Sequence, residues 1–231
     1  MTKQVDADYR GMEDWSEALR MYGAEEKMTP KQIAIVEAAV NVFSDKGYAA
    51  ASTGEIARLA GVAEGTIFRY YKTKKDLLMA IVGPSAVKLI TPFLLSNFKD
   101  VLEAPYDSFP AFLKIFALNR LEFARKYYKI LKILIQEIPF EPVLRDQYKE
   151  LVISKIFAQM EEIVRHFQDK GELAPLPPAV IIRFTASSLL GFLITRLLLL
   201  PDSEWDDELE IDRTIRMIVQ GVGASNTGDL T

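Results

Sequence analysis

A chain of 231 residues, about half of them hydrophobic, can bury a real core in one large domain or two smaller ones. It has no cysteine and one histidine, which rules out disulfides and thiolate metal sites and gives no support to a zinc centre or to histidine-based nucleophilic catalysis. A net charge of -4 excludes chain-wide attraction to nucleic acid, so any such contact has to come from a local basic patch.

Helical periodicity runs through the chain, without strand-like alternation, internal repeat or glycine-rich phosphate loop, and an all-α fold is expected. Residues 1–28 form an N-terminal arm. Within it Met12, Trp15, Leu19 and Tyr22 fall on one stripe of a short amphipathic helix, although a loosely ordered arm fits the same residues. The first fifteen residues lack the basic start and apolar run of a signal peptide.

The first strong helix is announced by Thr29 as N-cap and Pro30 at its first position. Ile33, Val36, Val40 and Phe43 form its inner stripe, and Gly47 supplies a left-handed stop. Thr53 is read as the cap of a second helix with Ile56, Leu59 and Ala60 on its apolar face, ending at Gly61. A third short helix spans 64–71, and "KKDLLMAIV" opens a fourth. Ile67 and Tyr71, four apart, share a face and can close a small core with Ile56, Leu59, Val62 and Leu77. Residues 29–82 thus make a compact helical head.

Gly83-Pro84 interrupts the pattern, because Pro84 has no N–H to give the preceding turn, and Pro92 interrupts it again. Apolar helical runs follow near 86–102, 109–137, 142–170, 178–200 and 206–222, so 83–222 reads as a larger helical domain. Residues 223–231 have nothing to bury and read as a disordered tail. The 178–200 run is long enough to cross a bilayer. Arg183 and Arg196 count against that, since a central arginine costs roughly 2.5–3.5 kcal/mol, and a helix buried in protein is the expectation.

Two short helices around a tight glycine turn make a helix-turn-helix, whose second helix enters the major groove led by its N-terminus. With Ile67 and Tyr71 turned inward, Gly65, Thr66, Phe68, Arg69 and Tyr70 are left outside. Between 64 and 76 stand four positive residues (Arg69, Lys72, Lys74, Lys75) and two negative ones (Glu64, Asp76), a net of +2 in a chain of net -4. A lysine cluster alone is more often a solvated face, and a helical corner alone can be structural. Their order and spacing together favour DNA.

"STGEIARLAGVAEGTIFRYYKTKKDLL" closely resembles the DNA-binding domain of the TetR/AcrR family of bacterial transcription regulators, over about residues 30–82. By that resemblance Thr53 matches a helix-capping position that bonds phosphate. Gly65 and Thr66 match the start of the recognition helix, Tyr70 a phosphate-contacting aromatic, and Lys74 a phosphate-contacting lysine at the entry to the fourth helix. Phe68 stands where the family often has a tyrosine hydroxyl, and Gly54 where some members read a base. Base readout therefore falls to Glu64, Gly65, Thr66 and Arg69, with Phe68 and Lys72 completing the DNA-facing set.

The resemblance also implies a homodimer through the helices near 178–200 and 206–222. Ala186, Ser187, Ser188 and Gly191 allow close approach, and Ile211, Ile215, Ile218 and Val219 are expected as a second interface face. The middle helices should enclose a pocket for a small hydrophobic effector, with Phe112, Phe116, Asn119, Arg120, Phe123 and Gln136 as candidate lining. The implied protein is a cytoplasmic, ligand-responsive transcriptional regulator acting on an operator in double-stranded DNA. It would be a repressor, not an enzyme, and without cofactor or metal. The rival readings are a DNA-bound adaptor with no small-molecule ligand and an all-α carrier of hydrophobic ligands.

Overall fold

The computed structural model describes Leu19 and residues 27–83, 104–149 and 154–223. The expectations for the rest of the arm with its Trp15, for Pro84, Pro92 and the 86–102 run, and for the tail beyond Gly223 lie outside the described residues. Among those described, the regular structure is helical, and the single β feature is an isolated antiparallel bridge between Leu173 and Gly223.

The chain divides into two compact units. One comprises Met1–Leu94 with Arg125–Lys149, the other Leu95–Ala124 with Glu150–Thr231. A cut after residue 82 is what the linear sequence suggests; packing adds the 125–149 segment to the head.

In the first unit the helices are α1 (Pro30–Lys46), α2 (Thr53–Leu59), α3 (Glu64–Tyr70), α4 (Lys74–Val82), α6 (Tyr128–Glu137) and α7 (Pro142–Tyr148). Helix α5 (Phe109–Lys126) precedes α6 in the chain. The start of α1 follows the sequence signal: Thr29 and Gln32 form a reciprocal capping box, with Pro30 in the first turn. α4 begins the same way, with Thr73 and Asp76. Ile35, Phe43, Ile56, Ile67, Leu77 and Leu78 are fully buried and form the head's core. Each such side chain contributes about 1.5–3 kcal/mol relative to exposure.

Two details of the head correct the sequence reading. Leu59 is 53% exposed and takes no part in the core, because α2 turns Ile56 and Ala57 inward and its last turn faces out. The N-cap of α2 is Ser52, which makes no side-chain cap bond, while Thr53 is the first helical residue.

The long apolar run 109–137 is two helices. Tyr127 leaves helical geometry (φ -106°, ψ 22°) and is almost wholly buried between α5 and α6 in sequence. No proline or glycine marks the break, so composition gives no sign of it.

The second unit holds the body of α5, α8 (Ser154–Asp169), α9 (Pro178–Ile194) and α10 (Asp207–Val222). α9 continues into a π-helical turn, Thr195–Leu199. Its core joins Phe109, Phe112 and Leu113 of α5 to Val164 and Phe167 of α8, Ile181 of α9, and Ile211 and Ile218 of α10. Phe109 and Phe167 meet edge to face with ring centroids 5.5 Å apart. The Glu172 carboxylate accepts from the Phe109 N–H at 2.7 Å, satisfying a donor that the start of α5 would otherwise leave open. Arg196 is buried, donates to Asp207 at 2.8 Å and to the Pro201 carbonyl at 3.0 Å, and so fixes the α9–α10 connection.

The interface expectation for α10 needs correction at the residue level. Ile211, Ile215 and Ile218 are buried within their own chain, and Val219 packs against the same core. α10 exposes Leu209 and Met217 instead. α9 with its π-helical turn, Pro178–Leu199, is apolar enough by length and composition to cross a membrane (mean hydropathy 1.6), yet only 28% of its apolar 18-residue window is buried in the chain. Ile181, Ile182, Thr185, Leu189 and Phe192 face inward, while Val180, Phe184 and Leu190 remain exposed.

Candidate nucleic-acid interface

The turn between α2 and α3 is built by backbone hydrogen bonds. The Val62 N–H reaches the Ala57 carbonyl at 3.0 Å and the Gly61 N–H reaches that of Arg58 at 3.3 Å. This pairing closes the C-terminus of α2, and it requires a left-handed residue, supplied by Gly61 at φ 67°. The corner places Glu64 at the first position of α3, and the buried Ile67 anchors that helix. Its outward residues are then Glu64, Gly65, Phe68 and Arg69, all exposed, with Thr66 and Tyr70 half-buried.

Gly65 has no internal reason to be glycine. Its φ is not positive, and a Cβ built there meets nothing within 4 Å. A helical glycine without a packing role, even in the first turn as here, is disfavoured relative to alanine, by up to about 0.5–1 kcal/mol. The space it leaves lies outside the protein, where a DNA backbone or base edge can approach.

Tyr70 is prepared to donate. Its hydroxyl oxygen lies 3.2 Å from Thr29 Oγ1 and accepts from Arg69 Nη2 at 3.3 Å. Bonding by Thr29, and then by Arg69, lowers the phenol pKa, so the O–H becomes a better donor to an anionic oxygen. The Arg69 guanidinium lies 5.1 Å from the Tyr70 ring centroid, and one bond to Tyr70 uses only one of its five N–H donors.

The lysines divide into distinct roles. Lys72 is exposed and has no partner among the described residues. Lys75 pairs with Glu141 at 2.6 Å, and that hydrogen-bonded carboxylate raises the lysine pKa. Lys74 donates to the carbonyls of Tyr48 at 2.7 Å, Ala51 at 2.9 Å and Ala49 at 3.3 Å. An ammonium has three donors, so all of Lys74's go to the loop between α1 and α2. Thr53, matched by resemblance to a phosphate-binding position, donates to Glu64 Oε1 at 2.5 Å. The partners Tyr48, Thr29 and Glu141 carry no local sequence signal, since they stand 26, 41 and 66 residues from Lys74, Tyr70 and Lys75 respectively.

The six effector-pocket candidates fall in both units, five in the second and Gln136 in the first. Phe112 is in the core of the second unit, with Phe116 packed against it. Arg120 bonds Asn119 Oδ1 through Nε at 3.1 Å and lies 5.0 Å from the Phe123 ring centroid. Burial pushes the Arg120 pKa down to about 10. Gln136 belongs to the first unit, with its Oε1 beside Gly47. None of the six lines the cleft of about 580 Å³ in the second unit, which is walled by Tyr106, Glu162, Ile163, His166, Phe167 and Lys170 among others.

Residues 35–81 match the family model described as bacterial regulatory proteins, tetR family. A fatty acid metabolism regulator protein of Bacillus subtilis is 44% identical over 52 residues, which is 22% of this chain and 27% of that relative. The match therefore spans about a quarter of the relative's length. The solved structure of the fatty acid degradation regulator FadR from Bacillus halodurans superposes with a TM-score of 0.63 at 22% identity, covering 84% of this chain and 96% of that one. The Bacillus subtilis FadR structure in complex with stearoyl-CoA gives a TM-score of 0.61 at 19% identity, covering 82% of this chain and 98% of that one. At these identities the structures share a fold, whereas the head shares sequence as well. Residues 35–81 thus form a helix-turn-helix head of the type found in bacterial regulatory proteins of the tetR family.

Proposed function

We propose that the chain is a cytoplasmic, homodimeric repressor that binds an operator through α3 and is released by a hydrophobic, acyl-bearing effector. The observation that carries the reading is the outward face of α3 and the turn after it. Together they join a glycine that packs on nothing, a polarised tyrosine hydroxyl and two cations, Arg69 and Lys72. These are groups for phosphate and base edges. Thr66 adds a hydroxyl and a methyl in the first turn of the helix. Lys74 supports this face from behind by holding the α1–α2 loop.

Dimerisation is supported by the exposed apolar side chains of α9, Val180, Phe184 and Leu190, and by Met217 on α10. A single recognition helix buries too little surface for tight, specific binding, and two half-sites solve that. An acyl effector is supported by the fold shared with the regulator solved in complex with stearoyl-CoA. An effector can release DNA only by binding the DNA-incompetent state more tightly than the competent one.

The test uses a duplex enriched by the full chain from a randomised pool. Stearoyl-CoA should lower the anisotropy of the labelled complex and raise the melting temperature of the free protein, while coenzyme A alone does neither. DNA binding that no acyl compound alters would favour the adaptor reading. Absence of salt-dependent DNA binding would favour the carrier.

A further inference from the structure

We infer that Glu64, held by Thr53, is a specificity-determining residue that selects a cytosine in each operator half-site; the inference rests on the DNA-binding reading above. Glu64 is the first residue of α3, the end that leads into the major groove. It is the only anion on the outward face of α3; its exposed companions there are Gly65, Phe68 and Arg69. A carboxylate between two phosphate backbones opposes non-specific binding. A base edge that offers a donor offsets that cost.

The choice of base follows from what a carboxylate can do, which is accept. In the major groove only cytosine, through N4, and adenine, through N6, present donors. Adenine places its N7 acceptor beside that donor, so a carboxylate spanning its edge meets a repulsive lone pair. Cytosine presents a donor with no neighbouring acceptor of its own. Glutamate is thus matched to cytosine, as glutamine, with both donor and acceptor, is matched to adenine.

The geometry leaves Glu64 ready for this role. Thr53 Oγ1 donates to Oε1 at 2.5 Å, which fixes the side chain across the α2–α3 corner and leaves Oε2 able to accept. Gly54 lies beside that oxygen: a Cβ there would stand 3.7 Å from Oε2, an ordinary van der Waals contact. With its hydrogen committed to Glu64, Thr53 cannot donate it to phosphate at the same time. Thr53 is therefore a positioning residue that acts through Glu64.

The experiment selects duplexes from a randomised pool with the full-length wild-type chain and with Glu64→Ala, Glu64→Gln and Thr53→Val, each checked by thermal melting. The wild type should enrich a C·G pair at one fixed position of each half-site. Glu64→Ala should lose about tenfold or more of the discrimination at that position and keep it elsewhere. Glu64→Gln should move the preference there to adenine, and Thr53→Val should weaken the cytosine preference without moving it. If the Glu64 variants enrich the same bases as the wild type, with or without a uniform loss of affinity, the pair is a structural staple and the inference is overturned. A wild-type chain that melts cooperatively but enriches no sequence overturns the DNA-binding reading itself, and this inference with it.

Discussion

Lys74 donates to the Tyr48 carbonyl at 2.7 Å and holds its ammonium 4.5 Å from the centroid of the Tyr48 ring. Hydrogen bonds from a charged donor contribute about 1.5–3 kcal/mol, and their loss strands carbonyls in a half-buried loop. Lys74→Ala should therefore lower the stability of the head by about that amount, read as a shift in its denaturation midpoint. A variant with unchanged stability would show that the three bonds are not maintained in solution.

Lys72 provides the contrast, being exposed and unpartnered among the described residues. Lys72→Ala should leave the melting temperature unchanged and weaken operator and random DNA alike. The slope of log K against log salt should flatten by about 0.9 for each phosphate that the variant no longer neutralises. If the slope stays fixed in Lys72→Ala and falls in Lys74→Ala, the division of labour between the two lysines is reversed.

Gly65 separates folding from recognition. Because a Cβ there meets nothing, Gly65→Ala should keep or slightly raise stability, by up to about 0.5–1 kcal/mol. The same methyl should obstruct DNA and lower operator affinity at least tenfold, about 1.4 kcal/mol. Full affinity in a stable Gly65→Ala chain would remove close approach as the reason for the glycine.

Gly191 lies exposed on α9, and a Cβ there also meets nothing within the chain. Gly191→Arg should thus preserve the fold of the isolated chain while placing bulk and charge on the face proposed to meet the partner. Light scattering should report a folded monomer with little operator affinity. A dimer of wild-type stability would move the interface elsewhere.

Ile215, only 6% exposed and beside Ile211 and Ile218 in the core of its own unit, tests the opposite case. Ile215→Ala should cost about 2–5 kcal/mol through lost transfer energy and the cavity left behind. The loss should be the same at low and high protein concentration. A loss that grows on dilution would return this residue to an interface.

By itself the sequence determined the elements of the head. Thr29 with Pro30, and Thr73 with Asp76, specify helix starts through bonds to residues three positions away, and Gly61 specifies a left-handed turn through its lack of a side chain. Such signals are local, so one sequence displays them. The outward set on α3 was legible for the same reason, because a fixed helical period divides buried Ile67 from exposed Gly65, Phe68 and Arg69. Only tertiary structure decided what the polar side chains of the head do next. Lys74 turns to the carbonyls of Tyr48, Ala49 and Ala51, Lys75 to Glu141, and Tyr70 to Thr29, across separations of 23 to 66 positions in the chain. The break at Tyr127 and the inward turn of Ile211, Ile215 and Ile218 were settled in the same way. An apolar stripe records that a face is covered, but not whether its own chain or a second copy covers it. That depends on which helices pack beside it, and no local pattern encodes the choice.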